Sequence, residues 1–328
     1  MSFMREQSTT ALLEMLGTMR PAYSDAENRF VRQWIDPLGV NYDEHGNAVK
    51  VVGQAPTVLW SSHTDTVHRH GGVQRVHLDG DQIRLTAKSA RKRSNCLGAD
   101  CSTGVWLMRE MILAQVPGLY IFHACEEIGG LGSRAIATAN PSYLRGIDYA
   151  IAFDRKGRES VITHQGARTA SDTFAASIAP MLPGRYRADD TGLFTDTANY
   201  VDLIGECSNL SIGYEHGHSK EETQSLSHAL ALRDAMLAID VTKLEAARKP
   251  GDPDDALATR YGWMDAFEGG YAAPKGAKVI TGKWSPARCQ TLTEFVTYYP
   301  DETADILEQL GVGVADMYEA APWLEDDR

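Results

Sequence analysis

TVLWSSHTDTV, residues 57–67, runs from a short apolar, β-branched segment straight into a histidine and an aspartate. The front half reads as a buried strand, because its residues are apolar or aromatic and turn formers bound them. His63 and Asp65 stand two residues apart, so on an extended chain they share one side. A carboxylate placed there can hold an imidazole in one tautomer, as the outer partners of metal-bound histidines do.

Outward from this stretch the same pattern recurs. GLYIFHA (118–124), DYAIAF (148–153) and the run from Cys207 to Ile212 are also strand-like. Between them, STGVWLMREMILAQ (102–115), GLGSRAIATA (130–139) and HALALRDAMLAIDVTKLEAARK (228–249) carry helical spacing. This alternation predicts an α/β fold, a mixed and largely parallel sheet with helices on both faces. The N-terminus reads as a further helix, with Leu12, Leu13, Leu16 and Met19 on one stripe. KPGDPDD (249–255) breaks the pattern. We therefore expect one α/β domain over residues 1–249 and a mostly helical C-terminal extension over 250–328. The extension holds Trp263, Trp284 and Trp323, and its PDETADILEQLG (300–311) has a helix cap in Asp301 and a stop in Gly311.

Composition narrows the classes. A chain of 328 residues has room for one large α/β domain and a small appendage. No apolar run is long enough to span a bilayer, and no basic segment with an apolar leader opens the chain, so a cytoplasmic protein is expected. The five cysteines are scattered without a C-x-x-C pair, which argues against disulfides or a zinc finger. A net charge of −12 disfavours nucleic acid and anionic membrane as partners. The basic stretch KSARKR (88–93) reads as a solvated loop.

The strand ends carry the chemistry. LGADCSTGV (97–105) puts Asp100 at a helix start. An N-cap role would suit an aspartate there, but it explains neither Gly98 nor a carboxylate on the same edge as His63. HACEEIGG (123–130) delivers Glu126 and Glu127, AFDRKG (152–157) delivers Asp154, and GYEHGHSKEET (213–223) delivers His216 and His218. Three carboxylates and two imidazoles from separate loops form a metal-ligand inventory, with Glu126 left free to handle protons. Imidazole with carboxylate suits zinc first, with cobalt or manganese as alternatives.

Taken together, H-T-D-T-V, G-A-D-x-x-x-G-V, E-E-I-G-G-L-G-S, the strand-ending F-D and H-S-x-x-E-T resemble the signatures of the co-catalytic di-zinc exopeptidase clan. That clan includes leucyl aminopeptidases of the aminopeptidase Y type and the peptidase T and carboxypeptidase G types. The resemblance covers about residues 55–240. It implies that His63 and Asp154 hold one metal, Glu127 and His218 the other, and that Asp100 bridges both. It implies Asp65 as the acid orienting His63 and Glu126 as the general base. His218 fits the register of the last motif and His216 does not. The implied protein is a di-zinc metallo-aminopeptidase or dipeptidase, with two zinc ions per chain and a peptide or aminoacyl substrate.

Only 63 residues separate Asp154 from His218, too few for an inserted lid domain, so the lidless aminopeptidase branch is expected. Arg185 or Tyr186, in PGRYRADD (183–190), would then stabilise the carbonyl oxygen. Cys101 and Cys125 read as buried fillers, and His68, His70 and His123 as loop or core residues. Three other readings stand beside this one. They are an amidohydrolase of N-acyl or N-carbamoyl amino acids, a single-zinc acyltransferase like glutaminyl cyclase, and a non-catalytic peptidase-like binding protein.

Overall fold

A computed structural model of the chain describes residues 2–92 and 94–252. The expected extension beyond Asp252 lies outside the described residues. Eight strands form the main sheet. Across it they run Arg187–Asp189, Ser160–Ile162, Glu206–Ser211, Tyr149–Arg155, Val58–His63, Gly118–His123, Ala48–Val52 and Asn41–Tyr42. The four central strands, from Glu206–Ser211 to Gly118–His123, are mutually parallel. Antiparallel pairs join Ser160–Ile162 to Glu206–Ser211, Gly118–His123 to Ala48–Val52, and Ala48–Val52 to Asn41–Tyr42.

Strands Gly118–His123 and Tyr149–Arg155 are largely apolar because both faces are covered. Side chains alternate across the sheet: Val58 and Trp60, Tyr120 and Phe122, and Ile151 and Phe153 enter one core, where Trp60 stacks on Phe153 at 5.7 Å. Leu59, Leu119, Ile121 and Ala150 enter the other. Helices Ser2–Leu16, Ala99–Leu113 and Leu226–Leu237 build the first layer. Helix Leu131–Ala139 packs with the turn Asp196–Tyr200 on the opposite side.

Helix Ala99–Leu113 approaches the sheet unusually closely. A Cβ on Gly104 would stand 2.2 Å from the Phe153 carbonyl oxygen and 2.4 Å from Cys101 Sγ. Only glycine permits that contact, and it brings Asp100 down beside Asp154.

The structure corrects three local readings and adds a sheet. The basic stretch forms a short helix, Ala87–Lys92, rather than a loop. The last helix stops at Leu237 rather than running to residue 249. Asp240 is the reason: its side chain accepts the N–H and hydroxyl of Thr242, a local bond that competes with helix continuation. The N-terminal helix ends at Leu16, so Met19 leaves the stripe and pairs in a short strand. The added sheet is antiparallel and four-stranded (Tyr214–Glu215, Thr223–Ser225, Gln82–Leu85 and Val76–Asp79). Among the described residues no helix is long and apolar enough to cross a membrane. Cys96, Cys101, Cys125 and Cys207 are buried free thiols.

Candidate metal centre

The parallel strands deliver the polar residues to one edge, their C-terminal ends. His63 closes Val58–His63 and lies level with His123, its register partner in Gly118–His123. Just past His123 the chain turns through Cys125, whose φ of +63° is rarely adopted by a residue with a side chain, and presents Glu126 and Glu127. Asp154 sits near the end of Tyr149–Arg155, and Asp100 at the start of Ala99–Leu113. His218 lies between the short strands Tyr214–Glu215 and Thr223–Ser225.

These residues meet. His63 Nε2 is 3.0 Å from Asp100 Oδ1 and 3.3 Å from Asp154 Oδ1. His218 Nε2 is 3.2 Å from Asp100 Oδ2 and 3.3 Å from Glu127 Oε2. Asp100 thus shows one oxygen to each histidine. Glu126 stands slightly back, with Oε2 3.9 Å from His63 Nε2. His216 is exposed, and its carbonyl accepts the Ser219 hydroxyl.

A second layer holds the first. His63 Nδ1 lies 3.1 Å from the Asp65 carbonyl oxygen, which can only accept, so Nδ1 carries a proton and Nε2 faces Asp100 and Asp154. The Asp65 carboxylate accepts the backbone N–H of Glu126 and of Glu127, each at 3.1 Å. Thr195 donates to Asp154 Oδ2 at 2.7 Å, and the Tyr214 hydroxyl lies 3.0 Å from both Asp100 Oδ2 and the Asp154 carbonyl oxygen. Glu222 accepts backbone N–H groups from Leu97 to Asp100. Thr195, Tyr214 and Glu222 carry no role in the sequence reading. Only Glu222 had a signal, as the acid of H-S-x-x-E-T.

Crowding of charge sets the electrostatics. Burial works against ionising Asp100, yet its bonds from His218 and His63 hold it well below the ordinary carboxylate range. Asp154, also pushed up by burial, then faces an ionised Asp100 and stands well above it. Burial likewise raises Glu126; the His63 charge pulls it down, and Asp154 and Glu127 add to the rise. Bonds to Asp100 and Glu127 hold His218 up at about 11.

A cation fits this arrangement. Donor atoms of Asp100, Glu127 and His218 lie within 4.8 Å of one another, as do those of His63, Glu126 and Glu127. Glu127 Oε1 is buried without a hydrogen-bond partner among the described residues, an oxygen that needs an electropositive neighbour. Cys101 is near His63 and Asp154 but is a poor donor. Burial drives its thiol well above the usual range, and it donates to the Phe153 carbonyl at 3.0 Å.

Other candidates fall away from the site. Tyr186 is buried, and its hydroxyl is spent on the Ser211 carbonyl, so it is not the carbonyl stabiliser; Arg185 is exposed. His68 bonds Thr66, Gln74 and the Cys96 carbonyl, while His123 bonds Ser61 and Tyr200. His70 is exposed.

No protein-family model and no curated protein matches the chain by sequence. Solved structures do match by fold. Aminopeptidase PepT of Bacillus cereus is similar at 14% identity, over 71% of this chain and 97% of that one, with a TM-score of 0.52. A tripeptidase of Staphylococcus aureus is similar at 12% identity, over 73% and 98%, with a TM-score of 0.54. An aminopeptidase of the archaeon Desulfurococcus kamchatkensis is similar at 14% identity, over 71% and 94%, also at 0.54. The chain has the fold of these three peptidases.

Proposed function

We propose that the protein is a metal-dependent exopeptidase, an aminopeptidase or dipeptidase, using two zinc ions. The observation that carries this reading is the placement of Asp100 between the two histidines, one carboxylate oxygen to each. His63 and Asp154 would hold one ion, Glu127 and His218 the other, with Asp100 shared. Bound there, two divalent cations would lower the pKa of a water and polarise the substrate carbonyl.

The protein's own groups supply the rest. Glu126 is the general base: it stands beside the ligand cluster, and burial has raised its affinity for a proton. It takes a proton from the attacking water and returns it to the leaving amine. Asp65 fixes the direction of that carboxylate through the Glu126 N–H. The surrounding acids favour a substrate with a free, protonated amine near Asp154, hence peptides read from the N-terminus.

The test is Glu126→Gln, assayed with an aminoacyl anilide alongside metal analysis. Activity should fall about 10²–10⁴-fold while metal content is retained. Full activity of chelator-treated, metal-free protein would sink the reading.

A further inference from the structure

Glu222 lies four residues after His218 in the same turn and is 1% exposed. Its Oε2 accepts the N–H of Leu97 at 2.9 Å and of Gly98 at 3.0 Å. Its Oε1 accepts the N–H of Ala99 at 2.8 Å and of Asp100 at 3.4 Å. Successive amides converge on one anion only when the backbone curls into a nest, and Gly98, at φ +73°, supplies the left-handed residue that such a curl uses. Two residues further on, Gln224 Oε1 accepts the Thr103 hydroxyl at 2.8 Å. The segment bearing His218 therefore grips the segment bearing Asp100 on both sides of Asp100.

We propose that Glu222 is a positioning residue for the metal centre. It fixes the Leu97–Asp100 turn so that Asp100 offers one oxygen to His63 and the other to His218. Because Glu222 and His218 share a turn, the same carboxylate sets the distance between His218 and Asp100. The inference rests on the metallopeptidase reading for what the ligands hold.

Glu206 provides the comparison. It is also fully buried and accepts the N–H groups of Ser171, Ala247 and Arg248, but it opens its strand at the opposite edge of the sheet. A purely structural role for Glu222 would make the two behave alike.

The full chain, stripped with a chelator, would be titrated calorimetrically with zinc chloride as wild type, Glu222→Gln and Glu206→Gln. In Glu222→Gln an amide NH₂ replaces one acceptor among N–H donors, and zinc affinity should weaken about 10–100-fold. Its kcat should fall with KM near the wild-type value. Glu206→Gln should lose thermal stability and keep wild-type zinc affinity. Equal affinity in Glu222→Gln and wild type, or equal losses in both variants, overturns the inference. Should Glu222→Gln not fold, amide exchange of the stripped wild-type chain decides: slow exchange at residues 97–100 supports a preformed turn, and fast exchange there overturns it. A wild-type chain that takes up no zinc removes the metallopeptidase reading, and this inference with it; the other outcomes bear on Glu222 alone.

Discussion

Thr195 donates its hydroxyl to Asp154 Oδ2 at 2.7 Å, and this turns Oδ1 of the same carboxylate towards His63. The bond reaches across 41 residues of sequence, from a loop that sequence motifs ignore. Thr195→Val keeps the shape and removes the donor. We expect kcat/KM to fall about 10–100-fold with little change in melting temperature. Steady-state kinetics beside a thermal melt checks this, and unchanged kinetics would show that Asp154 is oriented by other means.

Asp65 serves two neighbours through one carboxylate, the N–H groups of Glu126 and Glu127. Asp65→Asn would set an amide NH₂ against one of those donors. Zinc content and kcat should both drop, since one glutamate is a proposed ligand and the other the proposed base. Retention of both would remove Asp65 from the site's support.

Zinc uptake should release protons. His218 is held up at about 11 by its bonds to Asp100 and Glu127, whereas a ligand imidazole must be neutral. Below that pKa, zinc displaces a proton, so affinity should rise with pH across the neutral range. Calorimetry in buffers of different ionisation heat should report about one proton or more released per chain. An affinity indifferent to pH would contradict His218 as a ligand.

Acid should destabilise the fold through His68 and His123. Burial lowers His68 to about 4, helped by the Arg20 charge, and lowers His123 to about 3. An unfolded histidine titrates near 6.5, so in this range the unfolded chain binds more protons than the native one. The stability each contributes is full above about pH 6.5 and is lost as pH falls towards the folded pKa. Each site costs up to about 1.4 kcal/mol per pH unit there. Denaturant titrations should show the decline, with a smaller slope in His68→Gln.

Gly104→Ala should be poorly tolerated. The added carbon meets the Phe153 backbone, which cannot yield as a flexible side chain can. A destabilisation of about 1–3 kcal/mol is expected, with zinc affinity also reduced because helix Ala99–Leu113 lifts Asp100 away. A variant matching wild type in both would show that the helix has slack.

The central strands were legible because burial on both faces makes them continuous apolar runs, as in DYAIAF and GLYIFHA. The cluster was legible for a related reason: side chains at the ends of parallel strands converge whatever the helices do. The small antiparallel sheet escaped because its strands are two to four residues long and half polar, although Asp79 and Gly80 mark its hairpin. Tyr186 misled because a hydroxyl in a polar loop says nothing about whether a backbone carbonyl already occupies it. Thr195 escaped because a single donor far along the chain leaves no spacing to read.

The clasp of Asp65 on two consecutive amides has a consequence for anyone transplanting this centre. The His63–Asp65 turn and the Cys125–Glu127 turn are keyed to each other by hydrogen bonds in fixed order. An insertion of one residue in either turn would shift both glutamates together. A grafted site must therefore carry the two turns as one interlocked piece, since copying the proposed metal ligands alone would leave nothing to tell Glu126 from Glu127.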